Sequence, residues 1–171
     1  MRYNVIACVN KSLALGDGTD LMYHIKSDLM NFKRITDGNI VVCGRKTYES
    51  LPKRPLKNRI NVVLTRDKNY VADGAIVLHS VSEVIEYCNQ YNDSGMEVYI
   101  IGGGEIYNMF LSSSDVIVDA IYLTVVNEEK DGKIKFPFNP SENEDWKLFY
   151  HSCPQIDNQI EYTFDIYKQR K

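Results

Sequence analysis

Residues 21–36 read LMYHIKSDLMNFKRIT. Ile25, Leu29 and Phe32 recur at helical spacing and mark one apolar stripe. The pattern predicts a helix over 25–35, stopped by Thr36-Asp37-Gly38. Continuous apolar runs stand on either side, YNVIACV at 3–9 and NIVVC at 39–43. Such runs suit strands covered on both faces. Asp28 lies three residues after Ile25 and four before Phe32, so it falls on the apolar stripe. A carboxylate there is out of place unless something pairs with it. Two readings stand open: a local hydrogen bond to a nearby strand, or an acid facing a ligand in a dry cleft.

The alternation continues outward. Gly16 and Gly18 mark 10–20 as a loop, and TYESL opens a short helix that Pro52 and Pro55 break. A basic loop at 53–59 precedes a strand at 60–64, a polar loop at 67–74 and a short strand, AIVLH. Ser80 and Ser82 offer N-caps for a helix over 82–91. EVYII at 97–101 is a strand that runs into Gly102-Gly103-Gly104 and the helix EIYNMFL. A strand over 119–126 leads to an acidic loop at 127–135. WKLFYHS and EYTFDIYK alternate around a turn at 154–158, the pattern of an antiparallel hairpin. The expectation is an α/β fold: a mainly parallel central sheet, helices on both faces and an antiparallel C-terminal hairpin, in a single domain over 1–171.

Bulk properties narrow the function. A net charge of −3 argues against a general nucleic-acid binder. The four cysteines form no CxxC pair and read as reduced thiols of a cytoplasmic protein. The three histidines are scattered, so no metal constellation is expected. The N-terminal apolar run is too short for a signal peptide, and no stretch is long enough to span a membrane. Monomer is the default.

In open α/β sheets ligands sit at the carboxyl ends of the strands, here the loops after residues 9, 43, 64 and 101. They carry GRKT, TR and GGG. A helix N-terminus with Arg45, Lys46 and Arg66 nearby suits a pyrophosphate plus a further phosphate, as in NADPH. The same features also fit a tight turn and a solvated basic face. GxGxxG, GxxxxGK[ST] and GxSxG are absent, which disfavours an ordinary Rossmann site, a P-loop enzyme and an α/β-hydrolase.

Taken together, VIACV with LALG, SDLMNFKRIT, VVCGRKTYESL, RPLKNRINVVLTR, YIIGGGEIY and IYLT with FP downstream resemble the dihydrofolate reductase family across essentially the whole chain. The resemblance implies reduction of dihydrofolate with NADPH, within one-carbon metabolism, and binding of antifolate inhibitors. Asp28 would pair with the 2-amino group and N3 of the pterin, and Thr124 would bridge to that amino group through water. Ile6 and Ile101 would line the pterin edge with their carbonyls, beside Cys8. Leu29, Phe32 and Leu51 would wall the pterin and benzoyl groups. Arg59 would clamp the glutamate α-carboxylate, a bidentate task that suits guanidinium.

For the cofactor, the resemblance implies a cis Gly102-Gly103 bond and a pyrophosphate cradle from Gly103, Gly104, Glu105 and Ile106, assisted by Thr47. Tyr107 would sit near the nicotinamide, with Ala7, Leu15, Gly16 and Ile101 also on the cofactor. Arg45, Lys46, Thr65 and Arg66 would receive the 2′-phosphate, with Gly44, Leu64 and His79 beside them. Met22-Tyr23 stands where the family usually has Pro-Trp. Tyr23 would offer a hydroxyl to a bridging water in the catalytic centre in place of an indole N–H, and losing the proline loosens the covering loop. Altered binding of 2,4-diamino antifolates is expected. Lys133 stands where an acidic residue often steadies that loop. Two alternatives share the architecture: a pyrimidine reductase of riboflavin synthesis and a non-catalytic nucleotide-binding module. Asp28 with Leu29, Phe32 and Arg59 favours the folate enzyme over the first, and the Asp28–Thr124 pair argues against the second.

Overall fold

β1 (Tyr3–Asn10) occupies the middle of the sheet, and its side chains feed both layers of the core. Val5, Ala7 and Val9 point into one apolar cluster, whereas Ile6 joins another with Val41 and Tyr99. That alternation is what a strand with period two must produce when both faces are covered. The computed structural model describes residues 1–16 and 22–170; positions 17–21, with Gly18 and Leu21 of the readings above, and Lys171 lie outside them.

The remaining elements follow in the order the sequence leads one to expect, with three additions. They are β2 (Ala14–Gly16), α1 (Lys26–Thr36), β3 (Ile40–Gly44), α2 (Arg45–Ser50), β4 (Ile60–Leu64), β5 (Ile76–Leu78) and α3 (Val81–Asn89). Then come β6 (Val98–Gly102), α4 (Gly104–Leu111), β7 (Val118–Val126), β8 (Ile134–Lys135), β9 (Trp146–His151), β10 (Gln155–Asp157) and β11 (Ile160–Gln169). The main sheet runs β10-β11-β7-β1-β6-β3-β4-β5, with β9 also paired to β11. Pairs from β7 across to β5 are parallel, and every pair made by β11 is antiparallel.

Val84, Cys88, Ile106 and Phe110 place α3 and α4 on one face. Phe32 and Ile35 place α1 on the other, and Tyr48 of α2 packs with Cys43 and Val63. Each fully buried Val or Ile contributes about 1.5–3 kcal/mol, against ~0–1 kcal/mol for an exposed ion pair, so apolar layering and not surface charge orders the sheet. α3 is capped as its sequence suggests: Ser80 accepts from the Glu83 N–H at 3.1 Å, and Glu83 accepts from the His79 N–H at 2.7 Å.

The additions are the short strands. β2 and β8 pair with each other inside segments expected to be loops. β10 falls within the expected turn at 154–158, and the reversal lies at Asn158-Gln159, where φ is +49° and +66°. Two successive positive φ values are the mark of a type I′ hairpin turn. α2 also begins earlier than expected, at Arg45, because Gly44 is extended and serves as its N-cap.

Candidate functional site

The site is a split in the sheet. β1 and β6 are paired from Tyr3–Val98 to Val5–Ile100 and no further. Beyond that point β1 follows β7 to Asn10–Val126, whereas β6 follows β3. The carboxyl halves of β1 and β6 therefore part, and backbone groups leave the ladder there. Strand-order reversals of this kind are where open α/β sheets bind ligands. The Ile6 carbonyl at the split accepts a hydrogen bond from the Tyr107 hydroxyl at 2.8 Å. Burial, with Cys8 and Asp28 nearby, drives the Tyr107 hydroxyl far above the usual tyrosine range, so it remains a donor.

α1 roofs this split. Ile25 is buried at its start, but Leu29 is 48% exposed and Phe32 is half-buried. The apolar stripe thus turns only partly into the core; its remainder is exposed at Leu29 and part-exposed at Phe32. Asp28 sits on that edge, and its carboxylate accepts a hydrogen bond from the Thr124 hydroxyl of β7. Thr124 stands opposite Cys8 in the β1–β7 register, which brings Cys8 to the same place. Burial raises the Asp28 carboxyl above its ordinary range, and the Thr124 hydrogen bond offsets part of that. The Cys8 thiol is raised by burial and then by Asp28, and so stays neutral. Of the two readings left open by the sequence, the local one has its partner here, a hydrogen bond from Thr124 on a neighbouring strand.

Further along α1, the Arg59 guanidinium lies 5.9 Å from the Phe32 ring centroid. It donates to the Thr36 hydroxyl at 3.0 Å and to the Lys57 carbonyl at 2.9 Å. No carboxylate among the described residues forms an ion pair with it. Leu51, half-buried at the end of α2, packs with Tyr48 and Ile101. Ile6, Phe32 and Ile101 thus pack in one cluster, Cys8 and Thr124 stand opposite each other with Asp28 bonded to Thr124, and Arg59 lies beside Phe32.

The second group gathers at the ends of β3, β4 and β6. The Gly102-Gly103 peptide bond is cis, as the resemblance implies, and Gly102 has φ +114°. A Cβ on Gly102 would lie 3.1 Å from the Tyr107 hydroxyl, and one on Gly103 would lie 3.3 Å from Thr47 Oγ1. The backbone at the start of α4 is therefore pressed against both α2 and its own fourth residue, Tyr107. Gly103 is the α4 N-cap and offers no side chain, so the first amides of α4 have no side-chain cap. A Cβ on Gly44, the α2 N-cap, would meet Ile106 at 3.1 Å, so the two helix N-termini converge. Two positive dipole ends and open N–H groups fit a pyrophosphate. His79 Nδ1 is 2.8 Å from the Thr65 carbonyl, fixing the loop after β4. Leu64 is buried, and Lys46 is exposed.

The basic residues are not idle. Arg66 pairs with Glu105, and Arg45 lies 3.8 Å from Asp67 and 5.8 Å from the Tyr70 ring centroid. Glu105, expected at the pyrophosphate, is turned to Arg66 because an exposed carboxylate finds a guanidinium there. Tyr23 is also engaged elsewhere. Its hydroxyl donates to Glu128 and accepts from Asn10 Nδ2 at 3.1 Å, and no hydrogen bond among the described residues joins it to Asp28 or Thr124. Burial, then the Glu128 hydrogen bond, push that hydroxyl up to about 12. Asn10 also donates to the Lys130 carbonyl at 2.7 Å, and Gly132 packs against Met22, Ala14 and Gly16. The loop after β7 is thereby tied to residues 10–16 and 22–23, with Leu15 and Gly16 in β2 and Lys133 exposed.

Sequence reasoning missed two groups. One is the Asn10–Tyr23–Glu128 cluster. The other is Asp157 and Tyr162, which hold Ser27 at the start of α1. Neither has a local sequence signal, because Glu128 lies 105 residues from Tyr23 and Asp157 lies 130 residues from Ser27. A surface cavity of about 300 Å³, lined by Lys11, His151, Glu161 and Asp165 among others, holds none of the expected site residues. No cluster able to hold a metal ion occurs among the described residues.

The family described as dihydrofolate reductase matches residues 2–171 of this chain. A dihydrofolate reductase of Bacillus subtilis is 31% identical over 96% of this chain and 93% of its own length. A type A13 dihydrofolate reductase of Escherichia coli is 32% identical over 99% and 96%. Among solved structures, dihydrofolate reductase from Enterococcus faecalis, complexed with NADP(H) and RAB-propyl, superposes with a TM-score of 0.86 at 27% identity, covering 99% of this chain and 97% of that one.

Proposed function

This chain belongs to the dihydrofolate reductase family, and on that premise we propose that the split between β1 and β6 is its reaction chamber. The enzyme reduces 7,8-dihydrofolate to 5,6,7,8-tetrahydrofolate, with hydride added at pterin C6 and a proton at N5. NADPH supplies that hydride when bound. The observation that carries the assignment of the chamber is the Asp28 carboxylate, half-buried on α1, raised by that burial and bonded to Thr124.

Asp28 accepts from the 2-amino group and N3 of the pterin and fixes the ring's orientation. Its negative charge in a poorly solvated cleft favours the protonated pterin, while water brings the proton to N5. Thr124 orients the carboxylate. Ile6 and Ile101 direct carbonyls at the pterin edge, and Leu29, Phe32 and Leu51 exclude water from its faces. Arg59 receives the α-carboxylate of the glutamate tail. Gly103, Gly104 and Ile106 present amides to the pyrophosphate, and Arg45, Lys46, Thr65 and Arg66 take the 2′-phosphate. Holding the two rings in contact supplies much of the acceleration. Tyr23 belongs to the loop tie and not to the proton path.

We also propose that the protein works as a single-domain monomer in the cytoplasm. Four unpaired cysteines support a reducing compartment. No helix among the described residues is long and apolar enough to cross a membrane.

The test is direct. Purified protein mixed with NADPH and dihydrofolate should consume cofactor absorbance, and NADH should serve far less well. Turnover equal with both cofactors would reject the 2′-phosphate assignment; none with either would reject the reading of the chamber.

A further inference from the structure

The start of α1 lacks a cap of its own. Ile25 is the N-cap residue, with φ −105° and ψ 115°, and it makes no side-chain cap hydrogen bond. The first amides of a helix have no partner within it and need one from elsewhere. Here the partner comes from the far end of the chain. Asp157 Oδ2 accepts from the Ser27 N–H at 3.0 Å and from the Ser27 hydroxyl at 3.0 Å. The Ser27 hydroxyl is also hydrogen-bonded to the hydroxyl of Tyr162. Tyr162 is buried against Ile25 and Val126. Asp157 ends β10 and pairs with Ile160 across the Asn158-Gln159 turn, so a tight hairpin aims its carboxylate.

We propose that Asp157 is a positioning residue that fixes the first turn of α1 and, through it, the place of the Asp28 carboxylate. Two neighbouring residues of α1 are pinned to neighbouring strands: Ser27 to the β10–β11 hairpin, and Asp28 to Thr124 of β7. The anchors lie on one ladder, where Tyr162 is opposite Val126 and Phe164 is opposite Thr124. The hairpin thus sets the helix at the height where Asp28 meets Thr124. The Ser27 N–H, then its hydroxyl, hold the Asp157 carboxyl below the usual carboxylate range, so this cap is charged throughout the working pH range. The titratable neighbours are Lys26 at Asp157, and Cys8 and Tyr107 at Asp28.

This inference rests on the role assigned to Asp28. The experiment is single-turnover hydride transfer from NADPH to dihydrofolate across pH, on full-length Asp157→Ala, Asp157→Asn and Tyr162→Phe, with Asp28→Asn as reference. Freed at Ser27, the first turn lets water reach Asp28. The ionisation governing the rate should then move toward acid by roughly half a unit or more in Asp157→Ala. The rate should fall by about 3- to 10-fold with KM for NADPH unchanged. Asn at 157 keeps an acceptor for both Ser27 donors and should restore most of the profile. Tyr162→Phe should shift it less, in the same direction.

A wild-type profile in Asp157→Ala, with only a lower Tm, would overturn the proposal and leave a structural cap. If Asp157→Ala fails to fold, Tyr162→Phe carries the test, and a wild-type profile in that variant overturns it equally. Turnover retained in Asp28→Asn would instead remove the underlying reading of Asp28, whatever Asp157 does.

Discussion

The Asp28 carboxyl has the Thr124 hydroxyl as its partner, and burial raises its ionisation. In the unfolded chain the same group titrates near ~3.9. Native stability from this residue is therefore greatest below that value and falls as pH rises toward the folded value. At neutral pH the ionised acid weakens the fold that holds it. Asp28→Asn should raise Tm at neutral pH while lowering turnover by roughly 10²- to 10⁴-fold, read by thermal melts and NADPH oxidation on one preparation. Unchanged turnover, or a lower Tm, would contradict this account. Arg59 allows a sharper comparison. It holds Thr36 with one nitrogen and the Lys57 carbonyl with another, leaving part of its fork for a ligand carboxylate. Lysine cannot hold Thr36 and a carboxylate in the same plane. Hydrogen bonds to charged groups contribute about 1.5–3 kcal/mol, so Arg59→Lys should weaken dihydrofolate by about 10- to 100-fold. A pterin lacking the glutamate tail should bind the variant and the parent alike, and a loss with that ligand too would move Arg59 off the tail.

Among the elements, the long ones were legible in the sequence, as were short β5 and α2, but three short strands were not. β1, β3, β4, β6 and β7 announce themselves as apolar runs, and α1 by its stripe. β2, β8 and β10 have two or three residues each, too few to establish a period. The Asn158-Gln159 turn adopts a glycine-favoured conformation without glycine, so composition gave no signal. The site divides in the same way. Asp28 stands out because a charge interrupts an apolar stripe, whereas Thr124 is one polar residue in a buried strand and entered through the family resemblance. The Arg66–Glu105 pair joins positions 39 residues apart and had no local trace. Nor had Tyr23–Glu128, which binds the segment before α1 to the loop after β7. Tyr23→Phe removes that link and keeps the ring. It should speed amide hydrogen exchange in β2 and β8 by about fivefold, with β3 and β6 unaffected. Equal exchange in variant and parent would show that the β2–β8 pair needs no help from this contact.

Over the whole molecule, the two-faced core shields most of its thiols. Cys43 and Cys88 are buried, and burial pushes their thiols up to about 12 and about 11. Cys8 stands opposite Thr124 beside Asp28 and is raised further still, whereas Cys153 is exposed. A disulfide-exchange reagent near ~pH 8 should therefore modify Cys153 quickly and the other three only on unfolding. Rapid reaction of a second thiol in the native enzyme would mean that the chamber or the core opens more than its packing implies.

β11 lies between β7 on one side and β9 with β10 on the other. A ribosome releases β7 well before β11, so the growing polypeptide passes through a stage in which the β7 edge is bare and β9 has nothing to pair with. Throughout that stage Asp157 and Tyr162 have not reached Ser27, and α1 carries its acid on an uncapped first turn. The nascent protein can assemble much of its parallel layer early, but the Ser27 anchor forms only when the late hairpin docks, so messages truncated within that hairpin should yield a sticky product with α1 unanchored.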